Sequence, residues 1–385
     1  MNKKRLLVVL SMTLLFNIKV YANVTKIQDE YFKIQKNNDE IISVENIDIF
    51  DINNNKIGEK SWSSAVILNN GNLLVGEYKP NKTYDYYEVN KQGNKSFITN
   101  IKYYIKDINK QTGNFIIVSN ENNNYFLGIL DKEFNIIYDT IFEYKENAFT
   151  DYSDILKTRD KKYGVFTVEG TEIIEPIFDN IKKIDNDSFE CLYDNKLYLL
   201  KNNNGIYINE TAINNIDSWA KSSVEKAIKL NFISQKLQVK LNNNITREEF
   251  CEIIIKLYEE KTGFKINTNI KNPFIDTSNI FVLKAYNLGI ISGKSKNKFE
   301  PNSYITREES AVILANLIKK MEYSISNNNY KYNDAQLISN WAKDAVQNVS
   351  NIGIMTGDTK NNFNPKNYYK VVEAISSIMR LYDLK

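Results

Sequence analysis

Two arginines stand at positions where the start of a helix would favour an acidic residue. The pentapeptide ITREE occurs at residues 245–249 and again at 305–309, so Arg247 and Arg307 each follow a threonine. A cation in the first helical turn opposes the helix dipole by about 0.3–1 kcal/mol at an exposed position. A guanidinium also offers a fork of N–H donors that suits carboxylate or phosphate, and a helix N-terminus favours anions. Both arginines are therefore candidate anion-binding residues, and the alternative is a solvated side chain offset by its glutamate neighbours.

The same pentapeptides mark the elements that must position these arginines. Thr246 and Thr306 are each followed three residues later by a glutamate, which is the spacing of a capping box. We therefore predict that both threonines are helix N-caps and that Arg247 and Arg307 occupy the first helical position.

ITREE lies within a longer unit that recurs three times. Copy two (about 272–321) and copy three (331–385) align with a constant offset of 64 residues, given by 353 − 289, through four pairs: Gly289/Gly353, Gly293/Gly357, Phe299/Phe363 and Pro301/Pro365. Copy one (about 215–263) has Asn231 where a glycine is expected and lacks the proline. Each copy predicts a helix, a compact loop and a second helix, with Gly289 and Gly353 in the left-handed conformation that ends a helix. One such pair cannot bury its apolar face alone, so the three should pack together.

These residues resemble three tandem S-layer homology (SLH) motifs. The resemblance rests on SWA and NWA, F-x-D, LGIISG, FEP and ITREE, and it covers residues 211–385. It implies an all-α bundle of pseudo-threefold symmetry that attaches exported proteins non-covalently to Gram-positive-type cell walls by gripping a pyruvylated secondary wall polymer. The polymer-binding residues that it implies are Arg247, Arg307, Asp276, Asp334, Trp219, Trp341, Gly293 and Gly357.

Several of these residues have an alternative structural interpretation. The tryptophans could be core rings, the aspartates could cap the first helix of their copies, and the glycines could serve turn geometry alone. Copy three has Lys370 at the cap position and Val371 at the arginine position, copy one lacks the loop glycines, and copy two has no tryptophan near Asp276. We therefore expect one or two competent grooves, with Arg307 the first candidate.

The preceding residues, 23–210, predict an antiparallel all-β domain. Short β-branched and aromatic runs alternate with Asn, Gly and Asp turns. Residues 125–144 are echoed by residues 162–181, with Gly128 and Gly164 at the same place, and the two segments resemble WG repeats, which are β-hairpin units. This resemblance implies a scaffold whose ligand is unknown.

The chain begins with the pattern of a secretory signal peptide. Residues 1–22 combine a basic start, an apolar run and a small-residue site ending at Ala22, with a retained anchor as the alternative. A balance of 50 basic against 47 acidic residues gives no reason to expect nucleic acid, and no membrane association is expected after cleavage. We expect Cys191 and Cys251 to be buried thiols rather than a disulfide.

The leading hypothesis is a non-enzymatic protein of the cell wall or S-layer, secreted by a Gram-positive-type bacterium. No cofactor is required, and DINNN and DNDS are interpreted as Asn-rich turns rather than calcium loops. The chain has no histidine, so an enzyme would have to rely on carboxylates. One alternative is therefore a wall-bound carbohydrate-active enzyme using a pair such as Glu172/Glu175 or Asp151/Asp154. Another is a structural subunit of a surface array.

Overall fold

The computed structural model describes residues 25–28, 32–36, 47–51, 53–149, 153–267, 271–323 and 331–384. The predicted signal peptide, residues 1–22, lies outside this range. Contacts divide the chain into two compact units, with the division between Asp179 and Asn180. The first unit is built of β-sheets, and helices dominate the second, so the predicted order of a β region followed by a helical region is confirmed.

Among its described residues, the first unit has four antiparallel sheets in which strands adjacent in sequence are adjacent in space. The first sheet holds β1 (Thr25–Gln28), β2 (Phe32–Lys36) and β3 (Ile47–Asp51). The second holds β4 (Ser64–Ile67), β5 (Leu73–Tyr78), β6 (Tyr84–Val89) and β7 (Lys95–Ile101). The third holds β8 (Tyr104–Ile108), β9 (Phe115–Glu121), β10 (Asn124–Leu130) and β11 (Ile136–Glu143), and the fourth β12 (Ser153–Lys157), β13 (Tyr163–Thr167) and β14 (Glu172–Phe178).

Side chains from different sheets of this unit share their cores. Tyr86 of the second sheet, Phe142 of the third and Phe166 of the fourth are fully buried in one apolar cluster. A smaller cluster joins the first sheet to the second through Ile49 and Leu73. Each sheet therefore buries a face on its neighbour, which is how repeat arrays obtain a core.

The tight turns of this unit are organised by Asp and Asn side chains. In DINNN the carboxylate of Asp51 accepts the backbone N–H groups of Asn53 and Asn55, both at 2.8 Å. Asn54 adopts a φ of 65° within the same turn. Short polar side chains that satisfy nearby N–H groups favour such turns, so DINNN is a turn, as predicted. Within the described ranges, no three acidic or cysteine side chains cluster closely enough to hold a metal ion.

The two predicted repeat segments share a local feature. Gly128 on β10 and Gly164 on β13 each face a backbone carbonyl across the sheet, at a point where the pairing register shifts. A Cβ atom on Gly128 would lie 2.6 Å from the Tyr138 oxygen, and one on Gly164 would lie 2.7 Å from the Ile174 oxygen. Glycine is required at both places because the neighbouring strand approaches too closely for a side chain.

The second unit opens with one more antiparallel sheet. It consists of β15 (Asn180–Lys183), β16 (Ser188–Tyr193), β17 (Lys196–Asn203) and β18 (Ile206–Asn209). The Tyr198 hydroxyl donates to the Val239 carbonyl at 3.3 Å, and the Asn209 N–H donates to the Gln238 side chain at 3.0 Å. The sequence prediction separated strands from helices at residue 210, but this sheet packs with the helices and the contact boundary therefore falls earlier.

Eight helices follow in the described part of the chain. They are α1 (Glu210–Asn214), α2 (Ser218–Lys229), α3 (Gln235–Gln238), α4 (Arg247–Thr262), α5 (Ile280–Asn287), α6 (Arg307–Lys320), α7 (Lys343–Asn351) and α8 (Val371–Asp383). Gly289 and Gly353 end α5 and α7 with φ of 72° and 73°, as predicted, and Asn231 takes a φ of 54° in copy one. Within the described ranges, none of the helices has the length and apolar character needed to cross a bilayer.

Three short extended segments connect the copies in a closed ring. The Ile245 N–H donates to the Tyr369 carbonyl, the Tyr369 N–H to the Ile305 carbonyl, and the Ile305 N–H to the Ile245 carbonyl, at 2.8, 2.9 and 3.2 Å. All three side chains are buried. Each copy is thus hydrogen-bonded to both others immediately before its second helix.

Both cysteines are buried free thiols, as predicted. Burial raises the pKa of each thiol to about 12, so neither is a reactive group at neutral pH.

Candidate functional site

The second helices of copies one and two begin with the predicted capping boxes. The Glu249 N–H donates to Thr246 Oγ1 at 3.2 Å, and the Thr246 N–H donates to Glu249 Oε2 at 3.0 Å. Thr306 and Glu309 repeat both bonds at the start of α6. The predicted N-caps are confirmed, and they fix the starting point of each arginine.

Arg247 extends from α4 to the loop of copy two. Its Nε donates to the Phe299 carbonyl at 3.0 Å and its Nη2 to the Ser292 carbonyl at 3.2 Å. The guanidinium lies 4.6 Å from the centre of the Phe299 ring, within the range of a cation–π contact. Arg247 is only 6% exposed, and burial lowers its pKa. The alternative of a solvated arginine is therefore wrong for this residue.

Arg307 makes the equivalent contacts with copy three. Its Nε donates to the Phe363 carbonyl at 2.8 Å and its Nη2 to the Thr356 carbonyl at 3.0 Å. Its Nη1 also donates to Glu373 at 3.3 Å, and the side chain keeps an exposed fraction of 11%. A guanidinium has five N–H donors, so these three bonds leave capacity for a further acceptor.

Asp276 and Asp334 hold the same loops from the other side. The Asp276 carboxylate accepts the N–H groups of Phe299 and Glu300, and these bonds lower its pKa. The Asp334 carboxylate accepts the N–H groups of Phe363 and Asn364, both at 2.7 Å. The alternative that these aspartates cap helices is wrong. The cap of α5 is Asn279, and Asp334 makes no capping bond to the 3₁₀ turn that follows it.

Gly293 and Gly357 permit the close packing of these loops. A Cβ atom on Gly293 would lie 2.8 Å from the carbonyl oxygens of Lys298 and Ser295. One on Gly357 would lie 2.9 Å from the Tyr332 ring. Neither glycine has a positive φ, so the reason for glycine here is close approach rather than the turn conformation alone.

The two candidate tryptophans are exposed. Trp219 is 53% exposed in α2, and Trp341 is 60% exposed in a 3₁₀ turn that precedes α7. The alternative that they are core rings is therefore wrong. The Trp219 indole N–H donates to Asp217 at 3.3 Å.

The boundary between copies two and three brings Arg307, Asp334 and Gly357 together at one loop. Arg307 bonds the loop that contains Gly357, and Asp334 bonds the same loop. The neighbouring Glu308 accepts the N–H of Ser339 at 3.0 Å, two residues before Trp341. Trp341 is thus placed near this boundary through the chain, two residues after the bond to the neighbour of Arg307.

The other two boundaries are less complete. Arg247, Asp276 and Gly293 meet between copies one and two, but α5 has 8 residues where α2 has 12. By the 64-residue offset (341 − 277), Thr277 stands where copy three has Trp341, so this boundary has no equivalent ring. Between copies three and one, the N–H of Val371 donates to the Asn243 carbonyl at 3.0 Å, and the buried valine offers no cation.

Sequence reasoning missed four residues at these boundaries. Glu308 is buried and also accepts a bond from Lys366 Nζ at 2.5 Å. Tyr304 and Tyr368 are exposed beside the hydrogen-bonded ring. The two tyrosines are 64 residues apart (368 − 304), so the repeat register could have revealed them. Glu308 repeats Glu248 within ITREE, so the register could have revealed it as well. Lys366 has no such sequence signal.

Comparison with known proteins identifies part of the helical unit. The family model of the S-layer homology domain matches residues 275–311 and 331–368. These segments fall in copies two and three and contain Arg307, Asp276, Asp334, Trp341, Gly293 and Gly357.

Three relatives show where similar sequences occur. The chain is 32% identical over 187 residues to exoglucanase XynX of Acetivibrio thermocellus, covering 46% of this chain and 17% of the relative. It is 30% identical over 173 residues to an amylopullulanase of Thermoanaerobacterium thermosulfurigenes, covering 43% of this chain and 9% of the relative. It is 25% identical over 150 residues to cell surface glycoprotein 1 of Acetivibrio thermocellus, covering 36% of this chain and 6% of the relative. The chain thus spans less than a fifth of each of these relatives.

Proposed function

We propose that this protein resides on the cell surface and that its SLH region attaches it non-covalently to a secondary cell-wall polymer. The support is the match of two SLH segments, the meeting of Arg307 and Asp334 at the loop that contains Gly357, and the exposed Trp341 two residues after Ser339, which bonds Glu308. Copy one completes the bundle as a third, divergent SLH motif, since its Ile245 occupies the same place in the hydrogen-bonded ring as Ile305.

The boundary between copies two and three is the main polymer site in this proposal. Arg307 retains N–H donors for an acidic group such as a pyruvyl carboxylate, and the exposed Trp341 ring offers a flat face to a sugar. Arg247 is more deeply buried, and its boundary lacks the tryptophan, so it serves as a weaker second site.

The first unit is a WG-repeat-like scaffold displayed outward in this proposal, without catalytic activity. Of the carboxylate pairs considered, Asp151 lies outside the described residues, while Asp154 is bonded to Lys145 at 2.6 Å. Glu172 is exposed to solvent on β14. The glycanases named above share only small parts of their length with this chain, so their activity is not carried over in this proposal.

A surface-array subunit is the second candidate, because β7 lies at the edge of its sheet and exposes Phe97 and Ile98. Exposed strand edges can pair with further chains. Sedimentation velocity over a range of protein concentrations separates the two: an array subunit forms larger species as concentration rises, and an individually anchored protein keeps one sedimentation coefficient.

Co-sedimentation of the full chain with cell-wall sacculi tests the anchoring. Sacculi from Acetivibrio thermocellus would be used before and after acid removal of the secondary polymer. We expect the chain to pellet with intact sacculi and to stay in solution with stripped ones. Equal retention by both preparations would contradict the proposal.

The two exposed tryptophans provide a matched pair of variants for the same assay. Trp341→Ala should reduce retention, since it removes the sugar-stacking face proposed for the boundary that contains Arg307. Trp219→Ala should leave retention unchanged. Trp219 belongs to copy one, whose boundary with copy three has Val371 in place of an arginine. Both side chains are exposed, so neither change should unfold the protein. Equal losses in the two variants would show that the Arg307 boundary is not the main site.

A further inference from the structure

Two tyrosines form an exposed aromatic pair beside the three-membered hydrogen-bonded ring. Tyr304 is 49% exposed and Tyr368 is 53% exposed. Their ring centres lie 5.5 Å apart with an interplanar angle of 61°. Neither phenol is needed to fill the core, so the burial of apolar surface does not explain them.

The backbone directs both tyrosines away from the core. Ile305 and Tyr369, which carry the ring hydrogen bonds, are buried. Successive side chains of an extended segment point to opposite sides. Tyr304 and Tyr368, one residue earlier, therefore face solvent.

The pair connects the two boundaries that contain an arginine. Tyr304 forms a β-bridge with Thr246, which precedes Arg247, and Tyr368 forms the equivalent bridge with Thr306, which precedes Arg307. Each tyrosine is thus paired with the residue that precedes one of the two arginines, and the tyrosine pair links the two candidate polymer sites. Their electrostatic surroundings include Lys240, which interacts with Tyr304.

We propose that Tyr304 and Tyr368 are a stacking surface for a sugar ring of a polysaccharide strand that passes from one arginine boundary to the other. This inference rests on the proposed function and extends it, since it makes the ligand a strand of several sugars rather than one terminal group. A phenol ring offers an apolar face to the C–H face of a pyranose, and its hydroxyl can donate to or accept from sugar hydroxyls. The exposed pair supplies both features at the point that such a strand must cross.

Titration calorimetry of the full chain with two probes tests this inference. One probe is the polymer released by acid from Acetivibrio thermocellus sacculi, and the other is its fragment of a single repeating unit. The double variant Tyr304→Ser/Tyr368→Ser should bind the polymer roughly tenfold more weakly, because stacking contacts of this kind are lost. Binding of the single unit should be unchanged, since it occupies one boundary only.

Phe264→Ser is the matched control, because Phe264 is an equally exposed aromatic residue (60%) that follows the opposite end of α4. Its binding of both probes should equal that of the unmodified chain. Unchanged polymer binding in the double tyrosine variant would overturn the inference, and so would equal weakening of both probes. The proposed function fails separately if Arg307→Ala leaves both affinities unaltered, or if the unmodified chain binds neither probe, in which case the inference falls with it.

Discussion

At the residue scale, Arg247 and Arg307 use their guanidinium groups mainly to hold a neighbouring copy. Each donates to two loop carbonyl oxygens of the next copy, at positions that share the 64-residue offset of the repeats: Ser292/Thr356 and Phe299/Phe363. These bonds offset the unfavourable position of a cation at a helix start. Each arginine therefore stabilises the bundle, and the binding proposed for it would come in addition to this structural role.

The sequence predicted these arginines, their caps and the aspartates that accompany them. It could not predict what the guanidinium groups bond, because the acceptors are backbone carbonyls 45–56 residues away. Any residue type supplies a carbonyl, so such an acceptor leaves no mark on the sequence. The exposure of Trp219 and Trp341 was equally undecided, since a tryptophan suits a core as well as a sugar site.

Asp358 should contribute to stability in a defined acidic range. Its carboxylate accepts bonds from the Asn362 N–H, the Asn364 side chain and the Lys360 N–H, and these lower its pKa from 3.8 to about 2. A lowered pKa in the folded state gives stability that is present above about pH 4 and is lost as the pH falls through 2. We expect Asp358→Asn to reduce this acid dependence, because an amide retains an acceptor oxygen but does not titrate.

Urea unfolding at intervals from pH 5 to pH 2 would measure this effect. The midpoint of the unmodified chain should fall more steeply below pH 4 than that of the variant. Parallel pH profiles would show that the pKa of Asp358 is the same in the folded and unfolded states, which would contradict the prediction. Asp276, whose pKa is also lowered by backbone N–H groups, should account for part of the remaining dependence.

At the element scale, the hairpins of the first unit depend on glycines that face a neighbouring strand. Gly128→Ala and Gly164→Ala should each destabilise the unit by about 1–3 kcal/mol, because the added Cβ would overlap a backbone carbonyl that cannot rotate away. Asn124→Ala is a suitable control, since Asn124 is an exposed position on the same strand as Gly128. Urea unfolding midpoints would compare the variants, and midpoints equal to that of the control would contradict the expected overlap.

The spacing of Gly128 and Gly164 was visible in the sequence, as was the change from strands to helices.

The sequence did not predict that the first helix of copy two is shorter than that of copy one. In α5 the first turn is missing relative to α2, while the end before Gly289 is kept, and an amphipathic pattern over 8 residues is compatible with several starting points. Asn279 determines the start by accepting the Phe281 N–H at 2.8 Å.

At the scale of the whole molecule, β15–β18 should be required by the helices they pack against. Removal of residues before Thr211 would expose apolar core and leave the Gln238 side chain and the Val239 carbonyl without their strand partners. A chain that starts at Thr211 should therefore melt at a lower temperature than one that starts at Asn180. Circular dichroism on heating would compare them, and equal melting temperatures would show that the sheet is dispensable. The sequence did not indicate this dependence, because strands and helices differ in pattern whether or not they share a core.

The closed ring of copies also determines when the helical unit can form during synthesis. The first β-sheets consist of adjacent strands, so each can assemble soon after its own residues emerge. The bonds of Ile245 to Tyr369 and of Val371 to Asn243 join segments more than 120 residues apart, given by 369 − 245 and 371 − 243. Contacts of such separation form late, because a long stretch of chain must first be confined. Copy one therefore stays without its partner helix until α8 becomes available, whereas the bonds of Arg247 and Arg307 to the loop of the next copy, 45–56 residues away, can form earlier.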